Sequence, residues 1–185
     1  MSALPAHFER FLGSMDGGWT KNESGRRLPF QVARYPNAGV ESVAFATLGL
    51  NAIRLRSPRS GRTLHQELLM LVSSALREGP VPSILQQVGL ELIERGEALL
   101  RGQVLTRQGY ILGSKMSSLY CAIPVHLPPE FVAVREANRD VAIVWLVPIG
   151  AREASYINEV GWEGFEAKLD EVGPNLLDPF RPSIL

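Results

Sequence analysis

The chain reads as a single α+β domain built on a mixed, mostly antiparallel sheet with flanking helices. Three observations carry that reading. Apolar residues fall into several strand-sized segments, the longest of them Val141 to Ile149. Helical spacing recurs in four short stretches that neither alternate regularly with the strands nor segregate from them. The 185 residues, 45% of them hydrophobic, suit one domain of ordinary size, with no repeat, low-complexity tract or long linker to divide them. The domain is expected to span 1–185, with a core over 28–172 and an irregular C-terminal arm over 174–185.

In chain order, Leu4, Phe8, Phe11, Leu12 and Met15 recur at helical spacing, which predicts a helix over 5–14. Asp16-Gly17-Gly18 stops it, and the polar, Gly-rich segment 16–28 reads as a mobile loop. Phe30 to Tyr35 alternates and ends at Pro36, as a strand does. Val43 to Gly49 is a second strand, and Asn51 to Leu55 a third. The segment Arg54 to Arg62 holds four arginines, no acid, and the turn formers Ser-Pro and Ser-Gly. It predicts a hairpin turn joining strand 52–56 to strand 64–72.

Gly79-Pro80-Val81-Pro82 breaks the chain. Ser83 reads as the N-cap of a helix whose Leu85, Val88, Leu92 and Ile93 share one face, and Gly96 as its end. Gln103 to Leu105 and Leu119 to Val125 are two further strands. Val141 to Val147 is nearly continuous apolar, so it should be a central strand covered on both faces, with Pro148 terminating it. Helices near 152–160 and 162–172 follow, capped by Gly161 and Gly173.

Composition excludes several function classes. Nineteen basic residues balance nineteen acidic ones, whereas a nucleic-acid binder is usually strongly basic. The balance is uneven along the chain: residues 1–62 carry nine Lys/Arg against four Asp/Glu, and residues 63–185 carry ten against fifteen. One cysteine excludes an internal disulfide framework and fits a reducing, cytoplasmic setting. The first residues show no signal peptide, and no stretch approaches the roughly 18 apolar residues of a membrane span.

No enzyme signature is legible. CxxC, HExxH, calcium-loop, Gly-x-Ser-x-Gly, Gly-x-Gly-x-x-Gly and Walker patterns are all missing, so neither a metal nor a cofactor is expected. His65 and Glu67 would share one face of a strand, and His126 follows the strand that holds Cys121. These three are the alternative: a small hydrolase or metal-dependent site, weighed against ordinary polar residues at strand ends. Cys121 lies inside an apolar strand and reads as an inert core thiol. Arg54, Arg56, Arg59 and Arg62 are the candidate partner-binding residues, because guanidinium forks take carboxylates bidentately. The plain alternative is a soluble turn in an arginine-rich chain, which has 16 Arg and 3 Lys.

Several segments, in order, resemble the suppressor of fused family. They are Leu28-Pro-Phe30-Gln-Val32-Ala-Arg34-Tyr35, then Ala46-Thr47-Leu48-Gly49-Leu50-Asn51, then Glu67-Leu68, where His65 stands in place of the family's usual arginine. Glu97-x-x-Leu100-Arg101-Gly102-Gln103-Val104 and Val144-Trp145-Leu146-Val147-Pro148-Ile149, with Glu153 four residues on, complete the series. The resemblance covers about 28–172 and implies a non-enzymatic protein-binding domain. It further implies an analogy with animal members that hold transcription factors by strand addition. Bacterial members resemble immunity proteins that neutralise a cognate toxin, and a short single-domain chain looks like that kind. Binding would then run through edge-strand pairing or a charge-complementary surface.

Overall fold

The computed structural model describes residues 3–39, 41–107, 109 and 111–185. Helix α1 (Leu4–Leu12) leads into β1 (Gly17–Lys21), β2 (Arg27–Tyr35) and β3 (Ser42–Leu48). A 3-10 turn, Leu50–Ala52, and the two-residue β4 (Leu55–Arg56) precede β5 (Thr63–Ser73). Then come α2 (Val81–Arg95), β6 (Val104–Thr106), β7 (Met116–Ala122), β8 (Ala133–Glu136) and β9 (Arg139–Gly150). Helices α3 (Ala151–Val160) and α4 (Trp162–Val172) follow.

The nine strands of the described residues form one sheet in the order β1-β2-β3-β5-β9-β7-β6, with β4 beside β5 and β8 beside β9. Every pairing is antiparallel except β5 with β9, which is parallel from His65↔Val141 to Leu69↔Trp145. Alternation sends Leu68, Met70, Val72, Val144 and Leu146 into a core shared with Val81, Leu85, Val88 and Leu92 of α2. Leu69, Leu71, Ile143, Trp145 and Val147 go the other way, into a core closed by α1, α3 and α4. The sheet is therefore a middle layer, and the expected α+β domain with a mixed sheet and flanking helices is what the chain adopts. The apolar run around Val144 is a central strand buried on both faces, as expected.

Four expectations are corrected. The segment 16–28 holds strand β1, whose Gly17, Gly18 and Trp19 pair with Arg34, Ala33 and Val32. Asn51 and Ala52 belong to the 3-10 turn rather than to a strand, and only Leu55 and Arg56 pair with β5. Ser83 does not cap α2. Pro80 occupies the N-cap, and the Ser83 hydroxyl donates to Glu23 at 2.8 Å. Pro148 does not end β9, which runs on to Gly150 with Pro148 opposite Leu119. Proline is tolerated there because pairing with β5 stops at Trp145, so no neighbour on that side asks for its missing N–H. Strand β8 has no counterpart among the sequence expectations.

The C-terminal segment after α4 has no helix or strand, yet it is locked down. Arg181 is buried beyond the end of the β5 ladder. Its Nη1 and Nη2 reach Oε1 and Oε2 of the fully buried Glu153 at 2.7 and 3.1 Å, and its Nη2 meets the Pro148 carbonyl at 3.5 Å. Glu153 also accepts the N–H of Gly150 at 2.9 Å and of Ile184 at 3.2 Å. One carboxylate thus caps the start of α3 and fastens the tail. Ser73 N–H bonds the Leu177 carbonyl at 2.9 Å, holding the same segment beside β5.

This pair yields a test. Arg181→Met strands a buried carboxylate and should lower unfolding free energy by about 3–5 kcal/mol in urea titrations. The double variant Glu153→Gln/Arg181→Met should recover part of that loss, because no unpaired charge remains buried. A single variant as stable as the parent would contradict the pinning role.

Candidate functional site

Glu67 sits in β5 with no solvent exposure. Its Oε2 accepts the Thr47 hydroxyl at 2.5 Å. Its Oε1 accepts Gly49 N–H at 2.8 Å, Asn51 N–H at 3.1 Å and the Asn51 side-chain amide at 2.6 Å. Thr47 Oγ1 in turn accepts the Leu68 N–H at 2.8 Å. Burial pushes the Glu67 carboxyl above its usual range, and the four donors pull in the opposite direction without overcoming it. Gly49, at φ 100°, lets the chain leave β3 so that its own N–H and those after it converge on the carboxylate. His65 Nδ1 lies 2.7 Å from the Asn51 carbonyl, and Arg139 donates to Asn51 Oδ1 at 2.8 Å. Glu67 and His65 are therefore spent on shaping the turn that enters β4.

That turn carries the arginine hairpin. Arg54, Arg56, Arg59 and Arg62 are all exposed, and none forms an ion pair with a described residue. The tip is ordered by backbone bonds from Ser57 N–H to the Arg62 carbonyl at 2.8 Å and from Gly61 N–H to the Ser57 carbonyl at 2.9 Å. Arg56 N–H bonds the Gly96 carbonyl at 2.8 Å, and the Arg56 carbonyl accepts Ala98 N–H at 2.9 Å. The hairpin is thereby stitched to the segment that leaves α2.

From that segment the chain enters β6, a terminal strand of the sheet. Gly102 makes the entry possible: its φ is 92°, and a Cβ there would lie 2.4 Å from the Trp162 ring. Cys121 N–H bonds the Gln103 carbonyl and Arg107 N–H bonds the Ser117 carbonyl, both at 2.9 Å. Alternation along an antiparallel ladder then turns the backbone groups of Val104 and Thr106 away from β7. These groups are the free edge of the sheet.

A groove of about 780 Å³ runs along that edge. Ile84, Gln87, Glu91 and Arg95, spaced three or four residues apart, present one face of α2 as its far wall. Leu105, Ile111 and Leu112 supply apolar floor. Arg107 spans the gap to Glu91 through two bonds of 2.5 and 3.0 Å. A smaller hollow of about 200 Å³ continues from Arg95 past Glu97 to Gln103, toward the segment that carries Arg56. The base of the hairpin is therefore tied to the segment at the end of this hollow, while none of the four arginines lines either hollow.

The residues singled out from the sequence end in different places. The four arginines share the hairpin. His65 and Glu67 are adjacent but committed to the turn, while His126 packs edge-on against Trp145 at 5.2 Å between ring centres. No group of three His, Cys, Asp or Glu among the described residues could hold a metal ion. The β6 edge was missed as a site, because Gln103 to Leu105 looks like any short strand and edge position depends on topology. No helix of the described residues is long and apolar enough to cross a membrane.

Fold and open edge together define the class: a sandwiched mixed sheet whose terminal strand β6 has, among the described residues, no strand partner on its outer side and lies beside a helix. The chain belongs to the suppressor of fused family, since the model for Suppressor of fused protein (SUFU) matches residues 26–182. No curated protein sequence matches it. Among solved structures, it is similar to a suppressor of fused homologue from Neisseria gonorrhoeae, with TM-score 0.70, 22% identity, and 97% of this chain covering 93% of that one. The Sufu–Fu complex gives TM-score 0.71 at 14% identity over 98% of this chain and 91% of that chain. Drosophila Suppressor of Fused gives TM-score 0.71 at 16% identity, and the match spans 98% of this chain but 50% of that protein.

Cys121 is fully buried in β7, and burial pushes its thiol up to about 12. The native chain should resist a disulfide reagent at pH 8 and release one equivalent only on unfolding. The folded thiol keeps its proton after the unfolded one has ionised near 9, so this residue makes stability fall as pH rises from about 9 to about 12. Cys121→Ala should remove that component of the pH profile, measured by denaturant unfolding at each pH.

Proposed function

We propose that the chain is a non-enzymatic protein-binding domain that takes an extended segment of a protein partner onto β6 by strand addition. The observation that carries the reading is the outward-facing backbone of Val104 and Thr106 beside a groove walled by α2. Such an edge offers hydrogen bonds to any extended chain, and the groove receives alternate side chains. Membership of the suppressor of fused family supports a binding role, and a similar structure is that of a Sufu–Fu complex. The arginine hairpin is the second contact: four exposed guanidinium groups without an ion pair among the described residues attract an acidic partner surface and orient it.

The finer reading is an immunity protein, acting in the cytoplasm, whose partner is a cognate toxin. Likeness along nearly the full length of a Neisseria homologue supports the bacterial version of the family role. The physical requirement is modest, since occluding a toxin needs a stable complex and no chemistry.

The decisive variant is Thr106→Pro, which deletes one outward N–H while leaving the bonds to β7 in place. Binding to the product of a neighbouring toxin-like gene should weaken by about tenfold or more in calorimetry. Protection of cells expressing that toxin should fall with it. Unchanged affinity removes the β6 edge from the mechanism, and failure of the wild-type chain to protect rejects the immunity role. Changing Arg54, Arg56, Arg59 and Arg62 together to Ser should slow association about tenfold at low salt and flatten its salt dependence. Equal rates would reduce the hairpin to a soluble turn.

A further inference from the structure

The groove along β6 distinguishes between guests. Helix α2 and β6 run in opposite directions along it: Glu91 bonds Arg107, whereas Arg95, one turn later, lies beside Gln103. Gln103, Leu105 and Arg107 share the face of β6 that looks toward α2, because Leu105 packs against the core closed by α2 and Arg107 reaches Glu91. The outward N–H and C=O groups belong to the residues between them, Val104 and Thr106. A segment paired through those groups sets side chains opposite Gln103, Leu105 and Arg107, all turned toward α2. This surface is open to a guest: Arg95 and Thr106 are exposed, while Val104 and Leu105 are half-buried.

The charges decide what those side chains can be. Four charged residues line the groove. Arg107 and Glu91 neutralise each other through their two bonds, and Glu23 accepts the Ser83 hydroxyl near the start of α2. Arg95 forms no ion pair with a described residue. In the hollow beside it stands Glu97, whose backbone is bridged to that of Arg56, so this end holds two guanidinium groups against one carboxylate. A carboxylate arriving opposite Gln103 comes beside Arg95, where a guanidinium fork can take it. An apolar side chain opposite Leu105 covers a leucine that is otherwise half in water. Opposite Arg107 a charge gains little, since that guanidinium is already paired.

We propose that the segment received by β6 carries a glutamate or aspartate two residues away from an apolar residue, the acid meeting Arg95 and the apolar side chain meeting Leu105. The spacing follows from the two-residue period of a strand and holds for either direction of the segment. This preference rests on strand addition at β6, described above, and can fail while strand addition stands.

Capped heptapeptides titrated into the intact chain test it, with the Val104 and Thr106 amide ¹H–¹⁵N signals as readout. The probe Thr-Glu-Thr-Val-Thr-Glu-Thr reads alike in both directions and sets an acid two residues from valine whichever way it lies. Thr-Thr-Glu-Val-Glu-Thr-Thr has the same composition but turns acid and valine to opposite faces. Thr-Gln-Thr-Val-Thr-Gln-Thr keeps the spacing and removes the charge. The probe should saturate at about 1 mM, with both controls about threefold to fivefold weaker. Arg95→Gln should erase the advantage over the glutamine peptide with the remaining spectrum unchanged, Arg95→Lys should keep part of it, and added salt should shrink it. Equal binding of the three peptides, or an advantage that survives Arg95→Gln, overturns the preference and leaves strand addition standing. Val104 and Thr106 signals that respond to none of the three up to about 20 mM remove strand addition, and this preference with it.

Discussion

The parallel pairing of β5 with β9 is the constraint from which the rest of the architecture follows. Antiparallel neighbours can be joined by a short turn, but parallel ones require the chain to travel back across the sheet. Here the return journey runs from Ser73 to Arg139 and contains α2, β6, β7 and β8. Helix α2 covers one face, which lets β5 and β9 be apolar on both sides. The β6–β7 hairpin extends the sheet beyond β9 and leaves β6 at its end. Groove, free edge and covering helix are thus parts of one crossover, and none would exist if β5 and β9 were joined by a turn.

Two buried carboxylates hold the places where that sheet loses regular neighbours. At the end of β3, Glu67 gathers donors from Thr47, Gly49 and Asn51. At the end of β9, Glu153 gathers Gly150, Ile184 and Arg181. Backbone groups leaving a ladder must find partners, and a carboxylate can accept several at once. The two solutions differ in charge. Glu153 meets a guanidinium, whereas Glu67 has only neutral donors on its oxygens.

Legibility in the sequence followed how much of each signal was local. Strand β9 and helices α1 and α2 announced themselves because a continuous apolar run, or apolar residues at helical spacing, is a property of the segment itself. Strand β1 did not, since Gly17-Gly18-Trp19-Thr20-Lys21 is a half-exposed terminal strand that takes its shape from Arg34, Ala33 and Val32 across the pairing. Pro148 misled for a related reason: its tolerance depends on where β5 stops, which no reading of β9 alone can supply. Arg181 looked like part of a loose arm because its partner is 28 positions away. The arginine hairpin was legible as a turn, but its neighbourhood to the β6 groove depends on the bonds from Arg56 to Gly96 and Ala98.

The neutral total of charges conceals an arrangement with consequences for recognition. The hairpin arginines stand on the α2 side, joined through Leu55 to the core that α2 closes, while the acidic excess of α3 and α4 lies over the other face. Strand addition alone is a poor discriminator, because backbone N–H and C=O groups are the same in every extended segment. Side-chain pockets and long-range charge must therefore supply the choice of partner. A basic hairpin tip set apart from an acidic α3–α4 layer turns an approaching charged surface before contact. On the proposed strand-addition reading, such an orientation would bring an incoming chain past Arg56 toward Arg95 and the outer edge of β6.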